Sequence, residues 1–398
     1  MKILSNDYKS SLPDSKITSK GGPANFARLF TNHIVSHTKH KWVGLLIDDD
    51  YKNQPKLQKL FSSKSRVYYH LTVPKHTTEL ITRAQKKCKP EIVFKKPILQ
   101  IANFINELKP DIIFLNGFSI YNWILLKAGK ITNTPIVIQH AGIWTKEIDI
   151  YKNLYPAQAR KMMKEMEKQS STLTSFEIFL NSWSKKVYRK EIFNSKNIKT
   201  ATIPLPIPDL KLKPTKNKKN DFKELKIGVV ARWDKIKNYE AVLALAKEIK
   251  KRGLAWDVYS VISVPKTKIN QKFKQDYKKL INIEPLKNHA EMSNFYQRMD
   301  LIIVPSNFDV SPHVVAESLL NGTPAVISPN VGWVDKYKLL GAKNWIIDFK
   351  NPSKVITRIK KIGNKKMPKK LATTIRKEAD PKICLNKYLK IFKRFTKR

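Results

Sequence analysis

Short apolar runs alternate with amphipathic stretches along the whole chain. In the first half, Lys2–Leu4, Lys41–Ile47, Val67–Leu71, Ile112–Leu115, Pro135–Gln139 and Phe176–Asn181 read as strands. Between them, Asn25–His37 and Pro97–Leu108 repeat apolar residues at three- and four-residue spacing, the period of a helix with one buried face. The second half continues the pattern with strands at Leu225–Val230, Trp256–Ile262 and Leu301–Val304. Its clearest helix is Tyr239–Arg252, with Ala241, Val242, Leu245, Ala246 and Ile249 on one face. Apolar strands alternating with helices predict an α/β protein of parallel sheets covered on both faces.

One stretch interrupts the alternation. Ile203–Pro208 has prolines at 204, 206 and 208, which remove N–H donors and fix φ, so it is neither helix nor central strand. The polar, basic run Lys211–Lys223 follows, and a new alternation starts at Leu225. The expected organisation is a doubly wound domain over residues 1–205, a second over 206–380, and a terminal helix within 381–398. In that helix Leu385, Leu389, Phe392 and Phe395 share one side. It is expected to pack back toward the N-terminal domain, a basic helix lying on a membrane being the alternative.

Composition narrows the class. The 398 residues suit two domains of ~200 residues each, and the apolar content of 41% is that of a globular protein. No apolar run reaches the ~18 to 20 residues of a membrane span, and MKILSNDYKS is too polar for a signal peptide. The two cysteines, Cys88 and Cys384, form neither a disulfide framework nor a ligand cluster. A cytoplasmic protein is expected. The formal net charge of +45 admits two readings. It is either a surface for an anionic partner, such as nucleic acid or an anionic membrane, or lysine spread by a biased composition.

Three segments carry chemistry. Gly21-Gly22, after the first strand and before Asn25–His37, lets the backbone approach a phosphate closely near a helix N-terminus. Arg232 and Lys237 bracket the loop between strand Leu225–Val230 and helix Tyr239–Arg252, where doubly wound folds place ligands and where two cations neutralise a diphosphate. Leu301–Asp335 reads as strand, loop, helix, Gly-Thr-Pro and strand, with Asp309 and Glu317 eight residues apart. That layout surrounds one crevice with a helix N-terminus, backbone N–H groups and two carboxylates, a fit for a ligand bearing both phosphate and hydroxyls.

These residues resemble the group 1 glycosyltransferases: retaining, nucleotide-sugar-dependent enzymes of the GT-B fold, two Rossmann-like domains facing across a cleft. The resemblance spans essentially the whole chain. It rests on Gly21-Gly22, Arg232 with Lys237, Asp309 with Glu317 followed by Asn321-Gly322-Thr323-Pro324, and the order of strands around the proline linker. It implies that Arg232 and Lys237 hold the donor diphosphate, that Glu317 holds the ribose, and that Asp309 contacts the transferred sugar. His140, after the strand Pro135–Gln139, resembles the position of a histidine beside the donor sugar. The resemblance further implies a nucleoside-diphosphate sugar as donor, a glycan or lipid-linked acceptor, no metal cofactor and no enzymic nucleophile. The departing phosphate itself then deprotonates the acceptor. Two departures stand out. The family more often has Glu at the place of Asp309, and its glycine-containing loop is Val310-Ser311-Pro312-His313 here. Pro312 donates no hydrogen bond, leaving Val310 and Ser311 to supply the contacts.

Other readings compete. Asp48-Asp49-Asp50 mimics the Asp-X-Asp metal site of a different glycosyltransferase fold, but reads more simply as a solvated strand end. His33 and His37, one helical turn apart, lack an acidic or cysteine ligand nearby. A nucleic-acid-binding protein, or a glycosyltransferase acting on DNA, accounts for the charge, yet no nucleic-acid-binding motif is present. A non-catalytic sugar-nucleotide binder remains as a further alternative.

Overall fold

The computed structural model describes residues 1–12, 22–50, 57–74, 89–192, 198–207, 223–263, 275–285, 287–362 and 365–396. The chain forms two compact units, Met1–Pro206 with Lys382–Arg398, and Ile207–Pro381.

The first unit is built on a sheet in the order β3-β4-β2-β1-β5-β6-β7-β8. Its strands are β1 (Lys2–Asn6), β2 (Lys41–Asp50), β3 (Leu57–Ser62), β4 (Arg66–Pro74), β5 (Ile112–Asn116), β6 (Ile136–His140), β7 (Phe176–Phe179) and β8 (Thr200–Thr202). All pairs are parallel except β3 with β4. β5 and β6 are buried at every residue, which is why they read as unbroken apolar runs and not as alternation. On one face, helices Lys95–Leu108, Ile120–Ile131 and Ala157–Leu173 pack Ile101, Ile105, Trp123, Leu126 and Met166 against Leu4, Leu45 and Ile113.

The opposite face is aromatic. Phe26 and Phe30 of helix Gly22–His37 and Phe114 of β5 meet Tyr388 and Phe392 of the terminal helix Pro381–Phe392, and Trp42 of β2 packs edge-on against Phe30. That helix therefore completes the first unit's core from the far end of the sequence. His33 and His37 lie stacked on Gly22–His37 at 4.9 Å, with His33 Nε2 3.3 Å from Asn386 Oδ1. Asp48 accepts from Lys9 at 2.7 Å and lies 3.2 Å from His70, so it acts as a paired strand-end charge.

The second unit is a parallel sheet ordered β11-β10-β9-β12-β13. Its strands are β9 (Glu224–Arg232), β10 (Ala255–Ser263), β11 (Asn282–Glu284), β12 (Leu301–Val304) and β13 (Ala325–Ile327). Successive strands step outward from β9 to β11, then the chain returns to place β12 on β9's other side. The carboxyl ends of β9 and β12 thus flank the switch point where open α/β sheets hold ligands. Among the described residues, no helix is long and apolar enough to cross a membrane.

Candidate functional site

The loops that leave β9 and β12 are knitted together. Asn238 adopts the left-handed conformation, φ 58° and ψ 52°, and its Oδ1 caps the helix Tyr239–Lys251 through the Ala241 amide. Its Nδ2 donates to the Pro305 carbonyl at 3.1 Å. Asn307 returns the contact: its amide donates to Ile236 O at 2.7 Å and its Nδ2 to Lys235 O at 3.0 Å. With both loops so fixed, Lys237 Nζ forms an ion pair with Asp309 Oδ2 across the switch point. Asp309 is held from its other side as well, since its amide donates to Asn330 O and its carbonyl accepts from Gly332. Trp333 Nε1 donates to Pro312 O at 3.1 Å, pinning the loop that leads into the helix His313–Leu320.

Arg232 ends β9 with its side chain 60% exposed and its Nε 3.3 Å from Asp234 Oδ2. Asp234 is itself fixed because its other oxygen accepts from the Ile236 amide at 3.0 Å. Glu317, one turn into the helix, accepts from the Tyr296 hydroxyl at 2.6 Å through Oε2. Burial and the neighbouring Glu317 charge push the Tyr296 hydroxyl well above the ordinary tyrosine range, so it remains a donor. Val310 is buried and Ser311 is partly exposed. After the helix, Gly322 turns the chain at φ 80°, a conformation glycine adopts without Cβ strain. The second unit thus gathers Arg232, Lys237, Asp309, Val310, Ser311 and Glu317 at the carboxyl ends of β9 and β12.

The first unit places its expected residues differently. Gly21 lies outside the described residues, and Gly22 opens the helix Gly22–His37. His140, expected beside a donor sugar, has no exposed surface. Its ring stacks on Phe179 at 4.8 Å and leans on Tyr188 at 4.1 Å, and its Nε2 lies 3.3 Å from the equally buried Glu177. In this structure it ties β6 to β7.

Three residues of the second-unit crevice escaped the sequence reading. Tyr296 gives no local signal. Asn238 was visible as a helix start, without its tie to Pro305. His313 had a signal, its position four residues before Glu317 on one helical face. Burial holds the His313 imidazole below its ordinary range and Lys237 acts the same way, while Glu317 and Asp309 oppose them.

Comparison with known proteins gives a family match for the second unit and a fold for the chain. Residues 213–379 match the family model for glycosyl transferases group 1. No curated protein matches the chain. Among solved structures, a sucrose-phosphate synthase from Thermosynechococcus elongatus aligns with a TM-score of 0.72 at 13% identity, over 99% of this chain and 98% of the other. An alpha,alpha-trehalose-phosphate synthase (UDP-forming) from Burkholderia xenovorans, in complex with glucose-6-phosphate, gives 0.68 at 11% over 98% and 99%. A trehalose-6-phosphate structure from E. coli, bound with UDP-2-fluoro glucose, gives 0.66 at 12% over 98% of each chain. At these identities the likeness is one of fold, the GT-B fold of two parallel-sheet units.

Proposed function

We propose that this chain, whose residues 213–379 match the group 1 glycosyl transferases, moves a sugar, with retention, from a nucleoside-diphosphate sugar to a polysaccharide, glycolipid or similar acceptor. The observation that carries this reading is the cluster at the switch point. There Lys237 pairs with Asp309 beside the N-terminus of the helix that bears Glu317, and Arg232 ends the neighbouring strand, where a doubly wound sheet receives a ligand. Arg232, largely exposed, and Lys237 neutralise the charge that grows on the departing diphosphate, and the reading routes no step through a metal ion. Glu317, with one oxygen held by Tyr296, offers the other to the ribose hydroxyls. Asp309, fixed by its bonds to residues 330 and 332, orients the transferred sugar, while the Val310–Ser311 backbone lies alongside.

Chemistry in this reading is positioning plus electrostatics. The sugar–phosphate bond breaks as charge passes to the diphosphate. The leaving phosphate oxygen takes the acceptor's proton, and the acceptor oxygen bonds the sugar on the face just vacated. His140 supports the first unit from its interior. The structures of similar fold include one bound with a UDP-sugar analogue and one in complex with a sugar phosphate, which supports a nucleotide-sugar donor.

We place the reaction at an anionic membrane surface on the cytoplasmic side. Helix Pro352–Ile362 buries Val355, Ile356 and Ile359 and exposes Lys354, Arg358, Lys360 and Lys361. Helix Lys369–Glu378 likewise exposes Lys369, Lys370, Arg376 and Lys377. Flotation with anionic vesicles at low salt should carry the protein upward, and no flotation removes the membrane reading. The reaction itself is tested by incubating the protein with UDP-, GDP- and ADP-sugars and following nucleotide release and anomeric configuration by NMR. Release from one donor with retained configuration is expected; inversion, or no release from any donor, contradicts the proposal.

A further inference from the structure

The crevice holds one enclosed group to which no role has been given. His313 opens the helix His313–Leu320 four residues before Glu317, so both project from one helical face. Its Nε2 is enclosed and meets no hydrogen-bond partner among the described residues. Buried polar atoms are nearly always partnered, so such an orphan points to a group that arrives later. The charged groups facing it are Glu317 from its own helix, Asp309 from the preceding loop and Lys237 from the loop after β9. The same turn has Pro312 at its N-cap, without a side-chain cap and without an acidic residue in the first turn. The positive end of the helix is therefore open to an anion.

We propose that the diphosphate of the donor is the missing partner of His313, and that the imidazole takes up a proton from solvent as the diphosphate binds and then donates it through Nε2 in a hydrogen bond to the phosphate oxygens. This rests on the donor-site reading above. In the unliganded protein, burial and the nearby Lys237 keep the ring neutral. A diphosphate reverses the balance, because its charges face the ring directly and draw Lys237 toward themselves. Bound donor thus meets three cations, Arg232, Lys237 and the protonated His313, where the unliganded crevice holds two. Only a proton moves from water to the ring; it returns to solvent when the nucleotide leaves.

Calorimetric titration of the whole protein with UDP, GDP and ADP, in buffers of differing ionisation enthalpy near pH ~7.5, reads the protons taken up per nucleotide bound. The wild type should take up a substantial fraction of a proton more than His313→Gln, whose neutral side chain has similar reach. The nucleotide's own titration is common to both proteins and drops out of the difference. Affinity in the variant should fall about tenfold or more, as expected for a lost charge-assisted hydrogen bond. Equal proton uptake in the two proteins, with binding intact, overturns the assignment of His313 alone. Failure of the wild type to bind all three nucleotides overturns the donor-site reading beneath it. If the glutamine variant does not fold, the wild-type protein still decides: a Kd that does not tighten as pH falls from about 8.5 to 7 contradicts proton uptake.

Discussion

Replacing Asp309 by asparagine should tighten the binding of a free nucleoside diphosphate while slowing sugar transfer. In the unliganded protein Lys237 is paired with Asp309, their side chains 22% and 12% exposed. A diphosphate that claims Lys237 first breaks this pair and then sits beside the stranded carboxylate. An exposed ion pair is worth ~0–1 kcal/mol, and breaking an enclosed one costs ~3–5 kcal/mol. This pair lies between those limits, so about 1–3 kcal/mol is recovered when the carboxylate charge is removed. That corresponds to a Kd lower by about 5- to 150-fold. Asparagine keeps the size and one acceptor oxygen, and the backbone bonds to residues 330 and 332 do not depend on the charge. Titration calorimetry with the nucleotide that binds the wild type measures the gain, and turnover with the matching sugar donor should fall at least about tenfold. A variant that binds the diphosphate no tighter than the wild type refutes the idea that Asp309 holds Lys237 before the donor arrives.

Three further outcomes follow from particular contacts. Tyr296→Phe removes the hydroxyl that donates to Glu317 at 2.6 Å, so chemical denaturation should show a loss of ~1.5–3 kcal/mol and nucleotide affinity should fall; an unchanged Kd detaches Tyr296 from the site. Asp7, whose carboxyl is raised by burial from 3.8 to about 6 against hydrogen bonds that include Trp42 Nε1, favours the folded state fully below pH 3.8. That contribution is lost as pH rises through about 6 and amounts to about 3 kcal/mol, so urea midpoints should fall over this range in the wild type and less steeply in Asp7→Asn. Phe392→Ala empties a site with no exposed surface among Phe30, Phe114 and Tyr388, and should cost ~3–5 kcal/mol in unfolding free energy, whereas a loss below about 1 kcal/mol would mean the terminal helix adds little to the first unit's core.

What could be read from the sequence follows from what the chain buries. β5, β6 and β12 were legible because strands covered on both faces are continuous apolar runs. β3 was not: at the sheet edge it is mostly exposed, and Leu57-Gln58-Lys59-Leu60 shows no period that separates it from a loop. Short edge strands such as β8 and β11 are equally mute. Helix Ile120–Ile131 is apolar nearly all round because it lies within the core, so it lacks the amphipathic stripe that exposed Tyr239–Lys251.

At the crevice, the residue types at 232, 237, 309 and 317 were visible together with their strand-to-helix loops. The pairing of Lys237 with Asp309 spans 72 residues and depends on Asn238 and Asn307 knitting two loops, which no local pattern encodes. His140 shows the opposite case. A histidine after a strand carries no information on which way its ring turns, and here the ring faces Glu177 inside the first unit.

The central claim, that the second unit is a nucleotide-sugar site organised on the carboxyl ends of β9 and β12, is tested most directly by titration calorimetry of UDP, GDP and ADP against the wild type and Glu317→Ala. The account predicts that one nucleotide binds the wild type and that its affinity falls by about tenfold or more in the variant, as the ribose loses a carboxylate acceptor. Equal affinity in the two proteins, or no binding of any nucleotide to the wild type, contradicts it.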